Sequence, residues 1–290
     1  MAAFQYMNHT MKTGQTLLAF GILLFALPAL GQGMPPVVQA AKDADWARLS
    51  SLLLAQSNVK GVYGDGTSAL HWASYHDNVQ VAVDLIGQGI DVDSITDLGV
   101  TPLWLAADNG SAAMVDALLE NGANPNLNLL SGETLVMTAA HSGNATLVRA
   151  LLAAGASPQG AVTRNQTALM WAAGQGHGDV VGALLDYGAK VDARTLVRSQ
   201  FVKSEKEQDS HPANMVWVEQ GGNTALIFAA RAGSLESARL LVAAGSDVNG
   251  LSAFGTSPAI MAVHGGNIEL LEFLLESGAD VESSASGHTA

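Results

Sequence analysis

Apolar and polar positions along the 290-residue chain fall into two alternating short helical patterns, and the pair recurs at a fixed interval. Each first pattern opens on a recognisable string: Ser68-Ala69-Leu70-His71, Thr101-Pro102-Leu103-Trp104, Thr134-Leu135-Val136-Met137, Thr167-Ala168-Leu169-Met170, Thr224-Ala225-Leu226-Ile227 and Ser257-Pro258-Ala259-Ile260. Successive spacings are 33, 33, 33, 57 and 33 residues, and 57 is 33 with 24 residues inserted. Chance does not hold a ruler that strictly.

The residue types explain the elements. A Ser or Thr hydroxyl caps a helix by accepting from an unpaired backbone N–H, and proline is tolerated in a first helical turn. The pairs Ala106-Ala107, Ala139-Ala140, Ala172-Ala173 and Ala229-Ala230 let two helix backbones approach closely. Gly110, Gly143, Gly176, Gly233 and Gly266 end the first helix, supplying a left-handed stop. An apolar second helix follows, as at Leu151-Leu152 and Leu184-Leu185, closing at Gly89, Gly122, Gly155, Gly188, Gly245 or Gly278. Strings such as Gly278-Ala279-Asp280-Val281 then lead into an extended turn.

These strings resemble the ankyrin repeat, whose consensus runs Thr-Pro-Leu-His, an Ala pair, a Leu-Leu helix and Gly-Ala-Asp. Six units match well from about residue 64 to 284, and 37–61 resembles a degenerate first unit with Gln39-Ala40-Ala41 and Trp46–Ala55 as its helices. Departures are local: His71 alone keeps the family histidine, and Asp77 and Asn165 stand where glycines turn the chain. The resemblance implies an all-α solenoid of about seven stacked helix-turn-helix units with hairpin-like fingers. No unit buries its own apolar face, so neighbours do so jointly. It also implies a protein-binding role, with a concave groove of inner helices and fingers as the contact surface. The organisation expected is a leader over 1–31, the degenerate unit over 32–63 and repeats over 64–290. An insertion at 193–220 interrupts the repeats, and Gly287-His288-Thr289-Ala290 begins one more unit. That restart suggests a fragment of a longer protein.

Read in this register, the exposed inner-helix positions include Tyr75, His76, Asp108, Asn109, His141, Gln175, Arg231 and His264, and the fingers contribute Arg164 and Phe254. These are the candidate partner-binding residues. The insertion adds Trp217, within the alternating run Met215-Val216-Trp217-Val218 that predicts a short strand. Two readings of it stay open: an elongated finger that clasps the partner with Trp217 as apolar anchor, or a tolerated insertion whose Trp217 packs back onto the fifth or sixth unit. Lys190, Arg194, Arg198, Lys203 and Lys206 make this stretch basic.

Charge and composition narrow the function. A net charge of −13 disfavours nucleic acid. With no cysteine there is no disulfide, zinc-thiolate site or thiol nucleophile. His141 and His264 share a repeat position but lie several units apart, too far to share a metal ion; no metal or cofactor is expected. No phosphate loop follows a strand and no Gly-x-Ser-x-Gly elbow is present, so the chain is not expected to be an enzyme. Trp72, Trp104 and Trp171 fall on helical repeat positions and are expected in the core.

Lys12 precedes an apolar run from Leu17 to Leu30, then Gly31 and a polar stretch. This is the form of a secretory signal, with Met11 as a compact start and cleavage after Gly31. Periplasmic or secreted location follows, with an uncleaved inner-membrane anchor or a buried N-terminal helix as alternatives.

Overall fold

The computed structural model describes residues 33–55, 57–162, 164–203, 215–280 and 282. The leader, Lys206 and the closing Gly287–Ala290 lie outside them. The chain divides into two compact units, Met34–Ser199 with Glu219–Ala290 and Met1–Gly33 with Gln200–Val218.

The larger unit is a stack of helix pairs: α1 (Pro36–Lys42) with α2 (Trp46–Leu54), α3 (Ala69–Tyr75) with α4 (Val79–Gly87), α5 (Pro102–Asp108) with α6 (Ala112–Glu120), and α7 (Leu135–Ser142) with α8 (Ala145–Ala153). Next come a small antiparallel pair, β1 (Ala161–Val162) and β2 (Gln166–Thr167), then α9 (Ala168–Gln175) with α10 (Gly178–Asp186). After the insertion follow α11 (Ala225–Ala232) with α12 (Leu235–Ala243) and α13 (Pro258–His264) with α14 (Ile268–Glu276). First helices stack on first helices, second on second from α4 onward, and each first helix packs on its own partner.

Helices of seven to nine residues are too short to persist alone, so caps and packing must hold them. Ser68, Thr101, Thr134, Thr167, Thr224 and Ser257 each accept a hydrogen bond from the backbone N–H three residues on. Pro102 and Pro258 take the first helical position. The four alanine pairs are fully buried, as are Leu103, Leu169 and Leu226 one turn before three of them and Leu70 at the matching place in α3. Each such leucine contributes on the order of 2 kcal/mol by burial. Asp77 and Asn165, standing where other units carry glycine, do adopt left-handed backbone, with φ of 54° and 58°. Trp72 and Trp104 are core residues, as predicted; Trp171 is only partly buried.

His71 shows how one unit is fastened to the next. Its Nδ1 lies 3.1 Å from the Ser68 N–H and 2.8 Å from Ser68 Oγ, and its Nε2 lies 3.0 Å from the Val100 carbonyl oxygen. A backbone N–H can only donate, so Nδ1 accepts and Nε2 carries the proton given to Val100. Burial pushes the imidazole pKa down to about 4, against smaller opposing effects of the Val100 bond and the Asp65 charge. The side chain is therefore a neutral structural bridge.

A second fastening repeats along the turns. Asp93 accepts from Asn124 N–H, Asn126 from Ser157 N–H, Gln159 from Lys190 N–H, Asp192 from Asp247 N–H and Asn249 from Asp280 N–H. The three amides also donate, to the carbonyls of Gly155, Gly188 and Gly278. One polar side chain per unit thus joins the turn of its successor through main-chain groups.

In the smaller unit the described residues belong to a two-stranded ribbon, β3 (Arg198–Lys203) and β4 (Met215–Gln220). The alternation over Met215–Val218 corresponds to β4. Its partner strand was not apparent from sequence.

Candidate functional site

The register places one residue per unit at the end of the first helix: Lys42, Tyr75, Asp108, His141, Gly174, Arg231 and His264. One turn earlier on each next unit stand Trp72, Leu105, Thr138, Trp171, Phe228 and Met261. The two rows interlock. The Lys42 ammonium lies 5.8 Å from the Trp72 ring centroid, and His141 meets Trp171 edge-on at 5.0 Å. A Cβ on Gly174 would sit 3.4 Å from Phe228, so glycine leaves room for that ring, over which Arg231 stacks at 5.0 Å.

Chemistry changes from unit to unit along this face. Tyr75 is 40% exposed and packs edge-to-face on Trp72 and on His76, at 5.7 and 5.2 Å. His76, also exposed, meets Trp46 edge-on at 5.8 Å and bonds the Lys42 carbonyl through Nε2 at 3.1 Å. Next comes acid. Burial raises the Asp108 pKa; burial also raises that of Glu133, where the Asp108 charge adds to the effect and a hydrogen bond from Thr138 opposes it. Further along, burial lowers the pKa of His141, and repulsion from His177 lowers it further; burial lowers that of Arg231.

The sequence-derived candidates divide by what else they do. Tyr75, His76, Asp108, Gln175 and His264 are exposed on the first-helix face, while His141 and Arg231 are half-buried between the interlocking rows. Asn109 is exposed, yet its Nδ2 donates to the Ser74 and Tyr75 carbonyls at 3.1 and 3.0 Å, closing the end of α3. Arg164 and Phe254 stand exposed on fingers; Arg164 has left-handed backbone with φ 75°, and its carbonyl accepts from Leu196 N–H at 2.7 Å. Arg194, read as part of a basic patch, instead donates through Nη1 to the Gly222 and Leu251 carbonyls at 3.0 and 2.6 Å.

Trp217 on β4 is 71% exposed and stands 5.0 Å from the ring of Phe201 on β3, itself 46% exposed. That exposure is not a core residue's. Phe201 was missed from sequence because its strand, Arg-Ser-Gln-Phe-Val-Lys, lacks strict alternation.

The first-helix candidates are spread along successive units, one or two to a unit, and do not converge on a shared reacting point. A cleft of about 360 Å³ is lined by Val59, Lys60, Val62, Ile90 and Ile95 among others, and none of the candidates lines it. Among the described residues no cluster of three or more His, Cys, Asp or Glu could hold a metal ion, and no helix is long and apolar enough to cross a membrane.

A repeated helix pair with a regular core and a chemically varied face defines a repeat-built solenoid. The ankyrin-repeat profile (three copies) matches residues 37–129, 123–195 and 199–285, so the chain belongs to the ankyrin-repeat family. Among solved structures it is similar to the human ASB11 ankyrin repeat domain, at 27% identity and a TM-score of 0.65, covering 84% of this chain and 98% of that one. Curated relatives match shorter stretches. Palmitoyltransferase ZDHHC13 of Mus musculus is 32% identical over 92 residues, which is 31% of this chain and 15% of that protein. Palmitoyltransferase AKR1 of Lachancea kluyveri is 40% identical over 70 residues, 24% and 10% respectively. Human neurogenic locus notch homolog protein 1 is 38% identical over 74 residues, 26% and 3% respectively. The chain therefore spans only a small part of the length of these relatives.

Proposed function

We propose that the chain is a non-catalytic module that binds a partner protein on its first-helix face and fingers after export to the periplasm or beyond, with Trp217 on the ribbon as a separate candidate contact. The observation that carries this reading is the contrast between a buried register that barely changes and a facing row that changes from aromatic to acidic to histidine and arginine. Tyr, Trp and Arg, present in that row and on the ribbon, are the side chains enriched at binding hot spots. The contact surface would be about 800 Å² per partner for an interface of standard size. Export rests on the Lys12 and Leu17–Leu30 leader; an uncleaved leader would make the same module a tethered scaffold at the inner membrane.

The test is affinity capture from an extract of the exported compartment. Baits are the wild-type chain, a Tyr75→Ala/His141→Ala variant and a chain with 200–218 replaced by a Gly-Ser turn. A partner held by wild type and lost from the first variant supports the face; one lost from the second supports the ribbon. Identical protein sets on all three baits refute the reading. Similarity to segments of palmitoyltransferases favours one alternative, the binding region of a larger enzyme. A catalytic motif encoded after Ala290 would establish it, and further repeats would remove it.

A further inference from the structure

The middle of the first-helix face has a charge pattern that specifies more than a generic protein partner. Asp108 is exposed at the end of α5, and the half-buried Glu133 opens the next unit, where it is held by Thr138, the residue of α7 that the register sets beside the Asp108 row. The Arg149–Asp186 ion pair lies on the second-helix side, at 3.1 Å, away from both carboxylates. Thr138 supplies Glu133 with a single neutral donor at 3.1 Å. Two carboxylates on adjoining units of one face are complementary to an arriving cation.

On either side the same row turns aromatic. One unit back is Tyr75, with Trp72 behind it; one unit on is His141 against the partly exposed Trp171. Aromatic steps enclosing a negative centre are complementary to a cation carried on an apolar segment.

We propose that this face receives an extended segment of the partner protein whose lysine or arginine sits between Asp108 and Glu133, with apolar side chains over Tyr75 and over the His141–Trp171 pair. The inference rests on the reading of this face as a binding surface. Packed helices lie about 8–10 Å apart and an extended chain advances about 3.3 Å per residue. The apolar positions therefore fall about three residues to each side of the basic one.

The experiment is a selection of random twelve-residue peptides displayed on phage against the immobilised full chain. Synthetic copies of the enriched sequences are then measured by fluorescence anisotropy with wild type, Asp108→Asn/Glu133→Gln, Tyr75→Ala and the second-helix control Gln80→Ala. The expected result is enrichment of a basic residue with apolar residues three positions away. Affinity should fall about tenfold in the double variant, and norleucine in place of the basic residue should cause the same loss on wild type but little further loss on the double variant. The asparagine and glutamine replacements keep shape and remove charge, and thermal melting checks that they fold. Peptides weakened by Tyr75→Ala but lacking a basic residue, or held by the double variant within twofold, overturn this inference and leave the face reading standing. Peptides indifferent to Tyr75→Ala, or no enrichment at all, overturn both.

Discussion

Acidification should loosen the joint between the second and third repeat units, because His71 is built in as a neutral bridge. In the folded chain its pKa is down at about 4 against an ordinary 6.5. Protonation would place a hydrogen on Nδ1, where Ser68 already points an N–H, so the folded state binds the proton less readily than the unfolded one. The stability this group contributes is thus fully present above pH 6.5 and is lost as pH falls from 6.5 towards 4. The gap of 2.5 pKa units corresponds to about 3 kcal/mol in all, of which about 2 kcal/mol is gone by pH 5. His71→Gln is the matching control. Glutamine at this helix position can still accept from the Ser68 N–H and does not titrate. Urea unfolding followed by circular dichroism at pH 7.5 and pH 5 should show a loss in wild type larger by about 2 kcal/mol than in the variant. The raised Asp108 and Glu133 work in the opposite direction, since a carboxylate with a raised folded pKa favours folding more as pH falls, and they are common to both chains. Equal pH dependence in the two chains, or an imidazole resonance that titrates near 6.5 by NMR, would refute the reasoning.

Other outcomes follow from the same geometry. Asn126→Ala removes one bond to Ser157 N–H and one to the Gly155 carbonyl, so chemical unfolding should register a loss of about 1 kcal/mol, modest because the groups are exposed. Gly221→Ala places a Cβ against the Leu196 carbonyl oxygen at a backbone φ of 104°, and should cost about 2 kcal/mol or more, read as a drop in melting temperature. Leu103→Ala empties a fully buried position on α5 and should cost about 2–5 kcal/mol. Trp217→Ala should leave stability within about 0.5 kcal/mol of wild type, because the ring is exposed, while weakening any partner that the ribbon grips.

The stack was legible because its determinants are local and repeated. A hydroxyl cap, an alanine pair and a turn glycine recur at one spacing, and each fixes a short element whatever its neighbours do. The face was legible for the same reason: once the buried positions are in register, Tyr75, Asp108 and His141 must share a row. What sequence could not supply were relations across units. Asp93, Asn126, Gln159, Asp192 and Asn249 perform one task with three residue types, so no string marks them. The pairing of Arg198–Lys203 with Met215–Gln220 depends on which two segments meet, and only the second alternates clearly. Arg194 looked like part of a basic surface because its carbonyl acceptors at Gly222 and Leu251 are main-chain groups, invisible in residue types.

Site-specific photocrosslinking in the cells that make the chain tests the binding claim most directly. A benzophenone side chain replaces either Tyr75, on the first-helix face, or Gln80, exposed on the second helix α4. The account predicts a discrete adduct with one protein from position 75 and none from position 80. Matching adducts from both positions, or none from position 75, would contradict it.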